Sequence, residues 1–208
     1  MRVIIADDHA IVRRGLQLMI ATRPGWQVVA EAANADQVFD VIRRVPCDVL
    51  VLDVTLGDRS GLDVLATLRP EFPSLPVLML SMHAEEQYAI RALRAGATGY
   101  IQKDRSLEEI LDAIQKVAAG RVYVSDAITG QMAMELIRGN ADTPHARLSA
   151  REFEVFRLIA AGRAVSEIAY ALNLSVKTVS TYRTRILEKT GFRSNADIIA
   201  YAIRNGIV

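Results

Sequence analysis

A chain of 208 residues, 51% of them hydrophobic and carrying a net charge of +1, has enough apolar material to pack one large or two small domains, which excludes a disordered chain. No run approaches the roughly 18 uninterrupted apolar residues of a membrane span, the amino terminus turns acidic at Asp7 and Asp8 as no secretory signal does, and the single Cys47 excludes an internal disulfide and a cysteine-based zinc site, so a cytoplasmic protein with no membrane partner is expected. The near-neutral balance conceals an asymmetry, because residues 1–125 carry 14 basic and 16 acidic side chains (−2) and residues 148–208 carry 9 and 5 (+4), so only the second half suits a polyanion.

Val3 to Ala6 form an apolar run leading into Asp7, Asp8 and His9, after which Ile11, Val12, Leu16, Met19 and Ile20 recur at helical spacing until Pro24 and Gly25. Val28 to Ala30 begin a second strand, and the helix after it carries Val38, Phe39, Val41 and Ile42. Val49 to Leu52, four apolar residues between Asp48 and Asp53, read as a strand buried on both faces. A helix from about Ser60 to Leu68 follows; strand Val77 to Leu80 precedes a helix from Glu85 to Arg94, and strand Thr98 to Ile101 precedes one from Ser106 to Ala118. Five βα units joined by such short connections predict parallel strands with right-handed crossovers: a five-stranded, doubly wound α/β sheet with helices on both faces.

In such a sheet ligands bind at the carboxyl ends of the strands. The first strand delivers Asp7 and Asp8 there, the third Asp53, the fourth Ser81, and the fifth Lys103 just beyond Ile101. Singly, each has a plain reading: Asp53, Asp8 and Ser81 as helix caps, Lys103 as a solvated loop lysine. Together, three carboxylates, a hydroxyl and an ammonium converge on one edge. Crowded carboxylates call for a cation, and an all-oxygen set favours a hard ion such as Mg²⁺. With its charge screened by the metal and Lys103, Asp53 is equipped to attack a phosphoryl donor, and the oxygens of the resulting acyl phosphate would meet Mg²⁺, Lys103 and Ser81.

On these residues the stretch from 2 to 120 resembles the receiver domain of two-component response regulators, a flavodoxin-like fold. The resemblance implies that Asp53 is the phosphoacceptor, that Asp8, Asp53 and the backbone carbonyl of Thr55 hold Mg²⁺ with Asp7 assisting, that a sensor histidine kinase is the donor, and that Ser81, Lys103 and the aromatic Tyr100 form the phosphoryl-stabilising switch. Two positions depart from the pattern: Gly57 stands where receivers usually have proline, and Asp104 follows Lys103 where many have proline. His83, two residues past Ser81, reads either as a phosphoryl contact or as a surface histidine.

Residues 121–147 read as a linker: a weak segment Arg121 to Val124, a helix from about Ala127 to Ile137, then Gly139, Asn140, Asp142, Thr143 and Pro144, with no packing signal at His145 or Arg147. Ser149 and Glu152 form a capping box that opens a helix with Phe153, Phe156, Leu158 and Ile159, ended by Gly162. A second helix carries Val165, Ile168, Ala169 and Leu172. Asn173 and Leu174 turn the chain, and Ser175 caps a third helix to about Thr190. On that third helix Val176, Val179, Tyr182 and Ile186 predict a buried stripe, opposite Lys177, Ser180, Thr181, Thr184 and Glu188, with Arg183, Arg185 and Lys189 at the flanks. This face reads either as a solvated helix surface or as a recognition helix, whose small side chains admit base edges while Arg and Lys meet phosphates; the tight turn and the +4 charge favour DNA.

Residues 148–208, a small all-α domain, also resemble the LuxR-type helix-turn-helix, through Leu148, Ser149, Arg151, Glu152, Glu154, Val155, Gly162, Glu167, Ile168, Ala169, Leu172, Ser175, Thr178, Val179 and Lys189. Ser180 and Tyr182 stand where lysine and histidine are commoner, and Val165 replaces a usually polar residue. Together the two resemblances imply a response regulator of the NarL/FixJ type: a receiver at 1–120, a linker, and a DNA-binding domain at 148–208. The expected function is a transcription factor, not an enzyme, whose dimerisation and promoter binding change when Asp53 is phosphorylated. An orphan regulator that binds DNA without phosphorylation is the alternative, and an aspartate-nucleophile phosphohydrolase is a more distant one.

Overall fold

The computed structural model describes residues 1–57, 59–82, 84–138 and 143–208. They form two compact units, residues 1–134 and 135–208. Among the described residues no helix is long and apolar enough to cross a membrane.

The first unit is a parallel five-stranded sheet in the order β2-β1-β3-β4-β5, formed by β1 (Arg2–Ala6), β2 (Gln27–Ala32), β3 (Val49–Asp53), β4 (Val77–Ser81) and β5 (Gly99–Gln102). The helices alternate with the strands: α1 (Ala10–Ala21), α2 (Ala35–Arg44), α3 (Gly61–Leu68), α4 (Glu85–Arg94) and α5 (Leu107–Ala118). Every residue of β3 and of β4 is buried, as central strands covered on both faces require. Val3, Ile5, Val49, Val51, Leu78 and Leu80 pack with Leu16 and Ile20 of α1 and with Ile110, Leu111 and Ile114 of α5. The alternate residues, Ile4, Leu50, Leu52 and Met79, are equally buried and face the other side. Leu52 pairs with Met79 and Asp53 with Leu80, so β3 and β4 end level and deliver Asp53 and Ser81 to one edge.

The weak segment before the linker helix belongs to this sheet's margin. Tyr123 bridges Gly99, its carbonyl accepts the Tyr100 N–H (2.8 Å), and its own N–H donates to the Thr98 carbonyl (3.2 Å). Ser125 donates its backbone N–H to the buried carboxylate of Glu85 at the start of α4 (2.7 Å) and turns its hydroxyl to cap α6 (Asp126–Arg138) through the Ile128 N–H. The boundary between the two compact units falls within α6.

The second unit holds α7 (Ala150–Ala160), α8 (Val165–Ala171), α9 (Val176–Thr190) and α10 (Asn195–Arg204). The Ser149–Glu152 capping box is present, and Gly162 takes the left-handed conformation past the end of α7. Asn173, at φ +52°, makes the α8–α9 turn in the left-handed region that asparagine tolerates. The buried Arg151 of α7 donates to the Leu172 carbonyl in that turn. Packing starts earlier than the sequence suggests: Pro144–Arg147 form a 3₁₀ turn in which His145 Nδ1 lies 2.8 Å from the Tyr201 hydroxyl and the imidazole stacks on Phe153.

Candidate functional site

Asp53 closes β3 and is 3% exposed. Its Oδ2 is 2.7 Å from Lys103 Nζ, which lies 2.6 Å from Asp7 Oδ2, so one ammonium bridges two buried carboxylates. The Lys103 N–H donates to the Ser81 carbonyl (2.8 Å), which fixes the lysine at the end of β4 although it follows β5 in sequence. Asp53 Oδ1 accepts the Thr55 N–H (3.2 Å), and Asp7 Oδ1 accepts the His9 N–H (2.8 Å). Burial drives the Asp53 carboxyl up to about 6; the Lys103 ammonium opposes this and the nearby Asp7 adds to it. Burial alone would lower the Lys103 ammonium, but Asp53 and Asp7 outweigh it and hold the group charged.

The loop after β3 is shaped by two glycines. Gly57 has φ +62°, a conformation closed to proline, and its N–H donates to Asp8 Oδ2 (3.1 Å), a bond proline could not make. Its departure from the family pattern therefore gives Asp8 a backbone partner. Gly61 begins α3 against Asp53 itself, where an added Cβ would come within 1.8 Å of the Asp53 carbonyl oxygen. On either side of Gly57, Thr55–Leu56 pair with Arg59–Ser60 in a two-residue antiparallel ladder, and Ser60 caps α3 through the Leu62 N–H.

Ligand atoms of Asp7, Asp8, His9 and Asp53 lie within 4.8 Å of one another. Three carboxylates against one ammonium leave a net negative, largely buried oxygen cluster, which fits a hard divalent cation. The His9 imidazole, with Nδ1 2.7 Å from Asp8 Oδ1, is an addition to the set read from sequence; its place directly after Asp8 was the available signal. Ser81 is fully buried, and Tyr100, 1% exposed, hydrogen-bonds to it; burial first, with Tyr88, Glu85 and Asp53 adding, raises the phenol far above its ordinary value despite that bond. Asp7, Asp8, Asp53, Ser81, Lys103 and Tyr100 are thus brought to one edge. His83 lies outside the described residues, as do Gly139, Asn140 and Asp142 of the linker.

On α9 the exposed face carries Lys177, Ser180, Thr181, Thr184 and Glu188, with Arg185 beside it. The stripe beneath is shorter than the periodicity predicts: Val179 and Ile186 are fully buried and Tyr182 is half-buried, but Val176 is 53% exposed. Val176 occupies the first helical position, and the first fully buried residue of the helix is Val179. Two flanking cations already have partners inside the domain. Arg183 Nε donates to Asn195 Oδ1 (2.6 Å), and Lys189 Nζ lies 2.7 Å from Oε2 of the buried Glu152. Burial would push Glu152 up, but Lys189 and the Ser149 bonds hold it below the usual carboxylate range. Lys177, Ser180, Thr181, Thr184 and Arg185 are exposed.

Comparison with known proteins matches both parts of the chain. The response regulator receiver domain profile matches residues 3–115, and the profile of the LuxR family of bacterial regulatory proteins matches residues 146–202. The oxygen regulatory protein NreC of Staphylococcus aureus is 35% identical over all of this chain and 99% of its own. Among solved structures, a LuxR-family two-component response regulator from Aurantimonas sp. SI85-9A1 is similar over 65% of this chain and 97% of its own, with 35% identity and a TM-score of 0.60. RcsB of Salmonella enterica serovar Typhimurium, bound to promoter P1flhDC in the presence of the phosphomimetic BeF3−, is similar over 97% of both chains, with 27% identity and a TM-score of 0.60. The chain therefore belongs to the two-component response regulators of the NarL/FixJ type, DNA-binding transcription regulators that join a receiver to a LuxR-type helix-turn-helix.

Proposed function

We propose that Asp53 accepts a phosphoryl group from a sensor histidine kinase in the cytoplasm, and that this modification alters dimerisation and promoter binding through α9. The carrying observation is the Lys103 ammonium held between the buried Asp7 and Asp53 carboxylates, at 2.6 and 2.7 Å. Lys103 screens the nucleophile and stands where a transferred phosphoryl oxygen would need a cation. As the carboxylate oxygen bonds to phosphorus, the donor's P–N bond breaks and its electron pair returns to the kinase imidazole. Asp8, Asp53 and the Thr55 carbonyl would hold Mg²⁺, with Asp7 assisting. When bound, it supplies the charge neutralisation that lets an anionic carboxylate approach an anionic phosphoryl group.

The Ser81 hydroxyl then hydrogen-bonds the phosphoryl group, and Tyr100, already buried against Ser81, follows it. Movement of β5 and α4 reaches the start of α6 through the Tyr100–Tyr123 and Glu85–Ser125 bonds. At the output end, Lys177, Ser180, Thr181 and Thr184 face base edges in the major groove and Arg185 a phosphate, with Arg183 and Lys189 flanking them. RcsB bound to promoter DNA with BeF3− supports this reading of the two sites working together.

The test is to incubate the protein with acetyl phosphate and Mg²⁺, follow labelling by intact mass, and measure affinity for enriched duplexes. One slow label, lost in Asp53→Ala, with tighter DNA binding supports the proposal. Rapid multiple turnover would point to a phosphohydrolase, and labelling without a change in affinity to an orphan regulator.

A further inference from the structure

The reader face of α9 has a definite polarity. Ser180 Oγ donates to the Val176 carbonyl (2.9 Å), Thr181 Oγ1 to the Lys177 carbonyl (3.0 Å) and Thr184 Oγ1 to the Ser180 carbonyl (3.2 Å). All three hydroxyl protons are thus committed to the helix's own backbone, and what each hydroxyl offers outward is lone pairs. Each of the two threonines is exposed, and with its Oγ1 bonded to a backbone carbonyl its γ-methyl is the apolar group it can offer a partner. Val176 adds an isopropyl group at the amino-terminal turn of the same face, 53% exposed and one turn before Ser180. That is the end of a recognition helix that reaches base edges.

The short side chains of this face therefore present methyl groups and hydrogen-bond acceptors, and its outward donors are the long side chains of Lys177 and Arg185. An A·T pair offers the major groove a thymine C5-methyl, which meets a methyl, and an adenine N6 donor, which meets an acceptor; cytosine N4 offers the same kind of donor, so the methyl contact is what tells A·T from G·C. A guanine offers two acceptors, which on this face only Lys177 could meet, since Arg185 is placed for a phosphate. We infer that this protein selects A·T-rich half-sites by contact with thymine methyls, with Val176 a specificity-determining residue. The inference rests on the reading of α9 as the DNA-contacting helix.

The test uses the full-length protein, with and without acetyl phosphate, to enrich a randomised duplex pool, and then compares each enriched dT with dU, which lacks only the C5-methyl. Enriched half-sites should contain thymines at which dU weakens binding about threefold to fivefold per contacted methyl, the fold-change that corresponds to burying one such group. Val176→Ala, at an exposed helical position where alanine is well tolerated, should bind the dT duplex more weakly and become indifferent to dU at one of those positions. Sequence-selective binding unaffected by dU, or a Val176→Ala protein with the wild-type dT/dU ratio everywhere, overturns this inference and leaves the DNA-binding reading intact. A pool that enriches no sequence overturns both.

Discussion

Replacing Asp53 by asparagine should stabilise the metal-free receiver. Burial, supported by Asp7, carries the Asp53 carboxyl from its ordinary 3.8 to about 6 against the pull of Lys103. Its folded value lies above its unfolded value, so between about pH 4 and 6 the folded chain holds a proton that the unfolded chain has released. Ionising Asp53 therefore costs stability as pH rises through that window, and the cost is complete by about pH 7. A displacement of about two units corresponds to about 3 kcal/mol, a large share of a small domain's stability. The asparagine would keep the shape without the charge, and Lys103 would keep Asp7 as its partner. The assay is urea unfolding in EDTA between pH 4 and 8, followed by Trp26, the single tryptophan, which packs on the receiver core and so reports that unit. The stability difference between Asp53→Asn and wild type should be near zero at pH 4, grow to about 2–3 kcal/mol at pH 7, and narrow when Mg²⁺ is added to ionised wild type. Equal stabilities across the range, or a less stable variant at pH 7, would refute the claim that this carboxylate is held ionised at a cost.

The two glycines after β3 should behave oppositely: Gly61→Ala collides with the Asp53 carbonyl and should cost more than about 2 kcal/mol and abolish acetyl phosphate labelling, whereas Gly57→Ala meets open space and should cost only the roughly 1–2 kcal/mol of a left-handed alanine. Urea midpoints and intact mass distinguish them. Lys189→Met leaves the Glu152 carboxylate with the Ser149 bonds alone and should destabilise the second unit by about 1–3 kcal/mol, measured as faster amide exchange in α7 and α9 with α1 and α5 unchanged. Because Glu152 is held low, its wild-type contribution is present above the ordinary glutamate range and is lost as pH falls below it; this acid sensitivity should be weaker in Lys189→Met. Glu85→Ala should speed exchange at Ser125 and the first turn of α6, and reduce the gain in DNA affinity on phosphorylation while leaving labelling at Asp53 intact.

The sheet and the convergence on its edge were readable because both follow from short-range rules. Four apolar residues closed by an aspartate state a central strand and its end, and the βα alternation then brings Asp7, Asp8, Asp53, Ser81 and Lys103 together without any knowledge of contacts. What the sequence withheld depends on how far a neighbour extends. Helical spacing puts Val176 on the same side as Val179, but it carries no information about where along α9 the packing partners begin, and they begin only after Val176. The segment Arg121 to Val124 is too short to declare itself a strand, and its place against β5 depends on a backbone edge and on Glu85, 40 residues before Ser125. Lys189 reads as a surface cation because its partner, Glu152, lies on another helix.

These misreadings share a cause that bears on function. In each, a residue that a one-dimensional pattern assigns to core, linker or solvent is claimed by a partner distant in sequence, or by the lack of one. Glu85 and Tyr123 join α4 and β5 to the start of α6, and Val176 is an apolar group left 53% exposed at the start of α9, the helix proposed to meet DNA. A valine 53% exposed on the first turn of a helix contributes little to the fold that alanine would not. On the proposed reading its use lies in what covers it in the complex, where the methyls of Val176, Thr181 and Thr184, whose hydroxyls are bonded to the backbone, would complement thymine methyls.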